Sequence, residues 1–188
     1  NIAYWHGNFM PKRDPAIDWS GIVDGSTSST EWKGLHDHTE TVHILNPATG
    51  WIQNCNSNPF TASGAASPDP KAYPHYMAPD SENFRGLHAI KVIGREGKFS
   101  PESLREAAFD TWMPGLERLV PSIVRSWKDN ADIIDPMLKG PVAVLSNWDY
   151  RTSKESVAMT LAMVTGRKML ELTWSRLDRK STRLNSSH

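Results

Sequence analysis

Asn54 and Asn56 stand two apart at the end of the run Asn46-Pro47-Ala48-Thr49-Gly50-Trp51-Ile52-Gln53-Asn54-Cys55-Asn56. Their side chains are neutral donors that can be aimed into a cleft. Opposite an amide carbonyl under nucleophilic attack, such a donor stabilises the oxyanion, and removing one typically costs about 10²–10³ in rate. The same residues also suit a plainer task, capping turns and satisfying loop backbone. His36-Asp37-His38, with His43 beyond, offers different chemistry. On a strand, His-x-His puts both imidazoles on one face, as metal ligands require. A metal-dependent hydrolase would also need a carboxylate, Glu40 or Asp80, and groups to orient the ligands. A third class is a non-catalytic carbohydrate-binding module stacking sugars on tryptophans. Against it, Trp32 and Trp51 read as packing on a sheet, and Trp112 and Trp127 as core.

The elements that would hold these residues change character along the chain. Asn1–His6, Thr41–Leu45, Trp51–Cys55 and His88–Ile93 are short runs rich in β-branched and aromatic residues, and read as strands. On the third, Asn54 and Asn56 would project from one face. Asn46-Pro47 opens a turn for which Gly50 supplies the special backbone angle. Ser57–Pro74, with Pro59, Pro68, Pro70 and Pro74, reads as a long loop of the kind used for binding or linking.

From about Ser100 the pattern is helical: Ser100 is a natural N-cap and Pro101 suits the first helical position. Leu104, Ala108, Trp112, Leu116, Leu119, Ile123 and Trp127 recur at helical period, with Pro114 and Pro121 expected to kink or split the segment. A second helix is expected from Thr152, which has capping-box spacing to Glu155, burying Val157, Leu161, Val164 and Leu170. Met113, Met159, Met163 and Met169 read as core filler. Strands first and helices after predict an α+β arrangement. We expect strands and loops over 1–98, mainly helix over 99–177, and a non-native polar tail over 178–188.

Composition narrows the classes. With 21 basic and 21 acidic residues the formal charge is zero, which gives no electrostatic reason to expect nucleic acid or an anionic membrane. No apolar run approaches the roughly 20 residues of a membrane span. A single cysteine, Cys55, leaves no internal disulfide framework and does not fix the compartment.

One ordered series joins these pieces. Asn1-Ile2-Ala3-Tyr4, then Gly7, Pro11 and Arg13, Asp24-Gly25, Glu31-Trp32-Lys33-Gly34-Leu35, and Asn46-Pro47-x-x-Gly50-x-Ile52-x-Asn54-x-Asn56 succeed one another along the chain. In order and spacing the series resembles the penicillin acylase (penicillin amidase) family of N-terminal-nucleophile hydrolases. The likeness is good over residues 1–93 and looser to about residue 175, Trp148-Asp149 included.

The resemblance implies part of an αββα fold, truncated here to an internal piece of the large (β) chain. It implies cleavage of N-acyl amides (penicillins, acyl-homoserine lactones or acylated peptides) by an N-terminal serine whose own α-amino group is the base. Ser20, Ser26 and Ser63 lack the matching neighbourhood, so that serine is expected upstream and the chain is expected to be inactive alone. The resemblance assigns Asn56 to the oxyanion hole, with Asn54 as the alternative. It assigns Arg85, in Asn83-Phe84-Arg85-Gly86, as the catalytic partner that orients Asn56 or the substrate; a surface ion pair with Glu82 is its bland alternative. Asn54 and Trp51 are the expected substrate-contacting residues. No cofactor is required, although a structural calcium near Asp80 is conceivable. The implied partners are the rest of the large chain, the small (α) chain and the N-acyl substrate, in a periplasmic or secreted setting.

Overall fold

The computed structural model describes residues 1–95 and 97–184, with side chains as far as Trp174. Of the expected tail, residues 185–188 lie outside the described part. The chain forms two compact units, Asn1–Phe109 and Asp110–His188. The boundary therefore falls later than the change in sequence pattern near residue 98. The reason is local: Trp112 bridges to Arg151, Thr152 N–H donates to the Thr111 carbonyl at 3.0 Å, and Arg151 pairs with Asp110 at 3.1 Å. These contacts tie residues 110–112 to the segment at Arg151 and Thr152, inside the second unit.

In the first unit, β1 (Ala3–Trp5) and β2 (His43–Leu45) pair antiparallel, with Tyr4 opposite Ile44. This two-stranded sheet with helices is consistent with an α+β class. Val42, Met77 and Ala78 form a small buried cluster, flanked by Met10, Phe60, Tyr73 and Tyr76. Between β2 and the first α-helix the chain makes 3₁₀ turns at Pro59–Thr61, Gly64–Ala66, Pro70–Ala72 and His75–Met77, where a long loop was expected. Two of them start alike: Asn58 and Asp69 side chains accept from the N–H two residues on, and a proline fills the first turn position. Proline pre-sets φ and has no N–H left to satisfy, so a Pro-rich stretch can be ordered.

Two expected strands are absent. His88–Ile93 lies in α1 (Phe84–Ile93), capped by Asn83, whose Oδ1 accepts from Gly86 N–H at 3.0 Å. A six-residue run rich in β-branched residues fits either element; the Asn cap before it and Gly94 after it favour the helix. Trp51–Cys55 is not a strand either. Gln53 N–H donates to the Ala62 carbonyl at 2.8 Å, and the backbone then turns through Asn56 at φ 54°. α2 (Pro101–Ala108) starts as expected, with a capping box between Ser100 and Ser103.

The second unit is helical: α3 (Pro114–Asp129), α4 (Lys139–Ser146) and α5 (Val157–Leu184). The expected stripe breaks at residues 109–113. Pro114 begins α3, and Pro121 sits inside it without splitting it. Val120, Leu145, Trp148, Ala158 and Ala162 form the core. α5 is capped by Ser156, whose Oγ accepts from Met159 N–H at 3.1 Å, and not by a Thr152/Glu155 box. Its buried face is correspondingly shifted: Val157, Val164 and Leu170 are exposed, whereas Ala158 and Ala162 are buried and Leu161 packs on the core. Small residues at 158 and 162 let the helix approach its neighbours closely. Met113 and Met159 pack on this core; Met163 and Met169 are exposed.

Candidate active site

The Asn54–Asn56 segment is a side-chain-built turn. Asn54 Oδ1 accepts from Asn56 N–H at 3.1 Å, an Asx turn in which the side chain replaces a backbone carbonyl. Its Nδ2 donates to the Ser57 carbonyl at 3.3 Å and to the Tyr4 hydroxyl at 3.2 Å. Tyr4 comes from the centre of β1 and is also hydrogen-bonded to His6 Nδ1 at 2.8 Å. Burial pushes the Tyr4 hydroxyl pKa up, and the negative charge of Asp80 pushes it further. Tyr4 is thus a neutral anchor that fixes Asn54 to the sheet.

Asn54 is consumed by this scaffold, so its two donors and its acceptor are engaged. Asn56 is different. Its left-handed backbone, tolerated by Asn better than by most residues, turns its exposed side chain out of the turn. Both terminal nitrogens of Arg85, on the first turn of α1, donate to Asn56 Oδ1 at 3.3 Å. A guanidinium can only donate, so this contact fixes which end of the amide is oxygen. Nδ2, carrying two N–H groups, is the end that Arg85 does not engage. The structure thereby brings together two residues that are 29 positions apart in sequence.

Glu82 is not the partner of Arg85 in these contacts. One carboxylate oxygen accepts from the Asn83 N–H at 2.8 Å and the other from the Thr61 hydroxyl. The Thr61 bond holds the start of α1 to the turn at Pro59–Thr61. Gly86 permits the approach: a β-carbon there would lie 2.9 Å from Ser57 Oγ and clash with Glu82 Oε1. Tyr4, Asn83 and Gly86 are site-building residues that the sequence alone does not single out. An Asn immediately before a helical run is the legible signal for Asn83; Tyr4 and Gly86 have no local one.

Trp51 packs its ring against Gly64 and Gly94 and lines an open groove with Ile2, Ile52, Phe99 and Leu104. Trp32 is exposed instead of packed on the sheet. Ser63 is buried and bonded to the Trp51 carbonyl and Thr49 hydroxyl, which suits a turn and not a nucleophile. His36 is held between Tyr76 and Glu40, whereas His38 is exposed and pairs with Asp37. Among the described residues no three His, Cys, Asp or Glu side chains are grouped as a metal would need. The paired-imidazole reading loses its geometry. Among the described residues, no helix is long and apolar enough to cross a membrane.

The penicillin amidase family model matches residues 1–186, across both units. The chain belongs to this family of N-terminal-nucleophile hydrolases, which implies N-acyl amide substrates and chains processed from a precursor.

Proposed function

We propose that this chain supplies the electrophile-binding half of the active site in a member of the penicillin amidase family, with Asn56 Nδ2–H as the side-chain donor of the oxyanion hole. The observation that carries the reading is the double donation from Arg85 to Asn56 Oδ1. It orients the amide before substrate arrives, so no reorganisation is needed as charge develops.

The reaction in this reading is acyl transfer. An N-terminal serine, outside residues 1–188, attacks the amide carbonyl carbon while its α-amino group takes the hydroxyl proton. The carbonyl π electrons move onto oxygen, where Asn56 Nδ2–H and a backbone N–H meet the charge. Collapse of the tetrahedral intermediate breaks the C–N bond; the amine leaves with the proton, and the acyl group stays on the serine. Water then attacks the ester and releases the acid. Arg85 acts through Asn56, holding its oxygen, and its fork geometry is not reproduced by lysine. The reading places these residues in an αββα fold completed by the rest of the large chain and the small chain. The acyl substrate is that of a penicillin, an acyl-homoserine lactone or an acylated peptide.

The test is kcat of the full-length processed enzyme on an N-acyl amide. Asn56→Ala should lower kcat by about 10²–10³ with KM little changed. Full activity in that variant would reject the role.

A further inference from the structure

Asn56 has to stay in a left-handed conformation, at φ 54°, which a non-glycine residue adopts only when something holds it there. The Asx turn from Asn54 holds only its N–H. What holds the other side is Asn83. Its Nδ2 donates to the Cys55 carbonyl and to the Asn56 carbonyl, both at 3.0 Å. Its Oδ1 caps α1 through Gly86 N–H, and its own N–H is taken by Glu82. One side chain therefore clamps the two carbonyls on either side of Asn56 and, two residues before Arg85, starts the helix that carries Arg85.

We infer that Asn83 is a positioning residue for the oxyanion donor: it locks the Asn56 backbone and sets the register between Asn56 and Arg85. This rests on the role of Asn56 proposed above. An amide is needed for both tasks, because the cap requires an acceptor and the clamp requires two N–H donors. Loss of the clamp frees residue 56 to relax toward negative φ, swinging Nδ2 away from the developing charge. Substrate binding by other residues is untouched, so the effect belongs on kcat. Misplacement of a catalytic group by about 1 Å can cost on the order of 10²-fold in rate.

The two tasks can be separated in the full-length processed enzyme. Asn83→Asp keeps the cap, and its charge suits a helix N-terminus, but it sets a carboxylate oxygen against two carbonyls. Asn83→Ser keeps a cap without the charge and cannot reach the carbonyls. Both should fold with near-normal unfolding midpoints while kcat falls about 10- to 100-fold and KM changes little. A merely structural cap would leave kcat normal in both, and that result overturns the inference. Should the Asp variant fail to fold, the Ser variant alone decides. Asn56→Ala is measured in parallel. If it is impaired and the Asn83 variants are not, the clamp alone is wrong; if it is fully active, the oxyanion reading falls and the clamp with it.

Discussion

In the second unit, Val120, Leu145, Trp148, Ala158 and Ala162 interlock between α3, α4 and α5. In the first, the buried cluster around Val42, Met77 and Ala78 is small, and polar side chains set much of the geometry. Asn54, Asn58, Asp69, Asn83 and Ser100 each accept from a backbone N–H two or three residues further on. Apolar packing is tolerant of small shifts along a helix and yields stability. Hydrogen bonds to particular backbone atoms fix angles and distances within tenths of an ångström, which is what an oxyanion donor requires. The candidate site lies in the unit built by the second means.

That division predicts opposite consequences for substitutions in the two units. Leu145→Ala, in the helical core, should cost about 2–5 kcal/mol of stability, read from the urea midpoint of the full-length protein. Its kcat per folded molecule should be normal, and a kcat defect there would break the comparison. Gly86→Ala should cost less stability, about 1–3 kcal/mol, because Glu82 can swing aside. It should lower kcat, since Glu82 and Ser57 flank the Asn83 clamp. Normal kcat with a large stability loss would place Gly86 with the packing residues instead.

The smallest effect expected is on acid sensitivity. Glu40 has its carboxyl pKa held down by hydrogen bonds from Lys12, the Asp37 backbone and His36; Asp24 by the hydroxyl and N–H of Ser26; Asp37 by those of Thr39. Depressed folded-state values mean that these groups add stability above their unfolded pKa, about 4, and that it is lost as pH falls through the lower folded value. All three are exposed, so solvent and salt blunt the contribution. The urea midpoint should drop slightly below about pH 4, and Glu40→Gln together with Asp24→Asn should flatten that drop. An unchanged acid limb would mean that these turns do not contribute through charge.

Local chemistry was legible where the relevant partner lies within a few residues. Ser100 and Pro101 mark the start of α2, and Asn46-Pro47 with Gly50 forms the expected turn, Gly50 N–H donating to the Pro47 carbonyl at 2.9 Å. The ordered series from Asn1 to Asn56 was enough to identify the family. Misreadings occurred where two local signals competed. The run His88–Ile93 is rich in β-branched residues like a strand yet lies behind an Asn cap, and Thr152 with Glu155 has box spacing although Ser156 is the cap.

What the sequence determined is which residue types are present near a turn and that one of them, Asn56, is a neutral donor. Which end of its amide is engaged by Arg85 was decided only in three dimensions. Arg85 is distant along the chain and reaches Asn56 because Gly86 lets α1 sit against Ser57, while Asn83 ties the helix start to the turn. An amide is nearly symmetric in shape and opposite in chemistry at its two ends. Only a partner of fixed hydrogen-bonding sense, brought by folding, can choose between them.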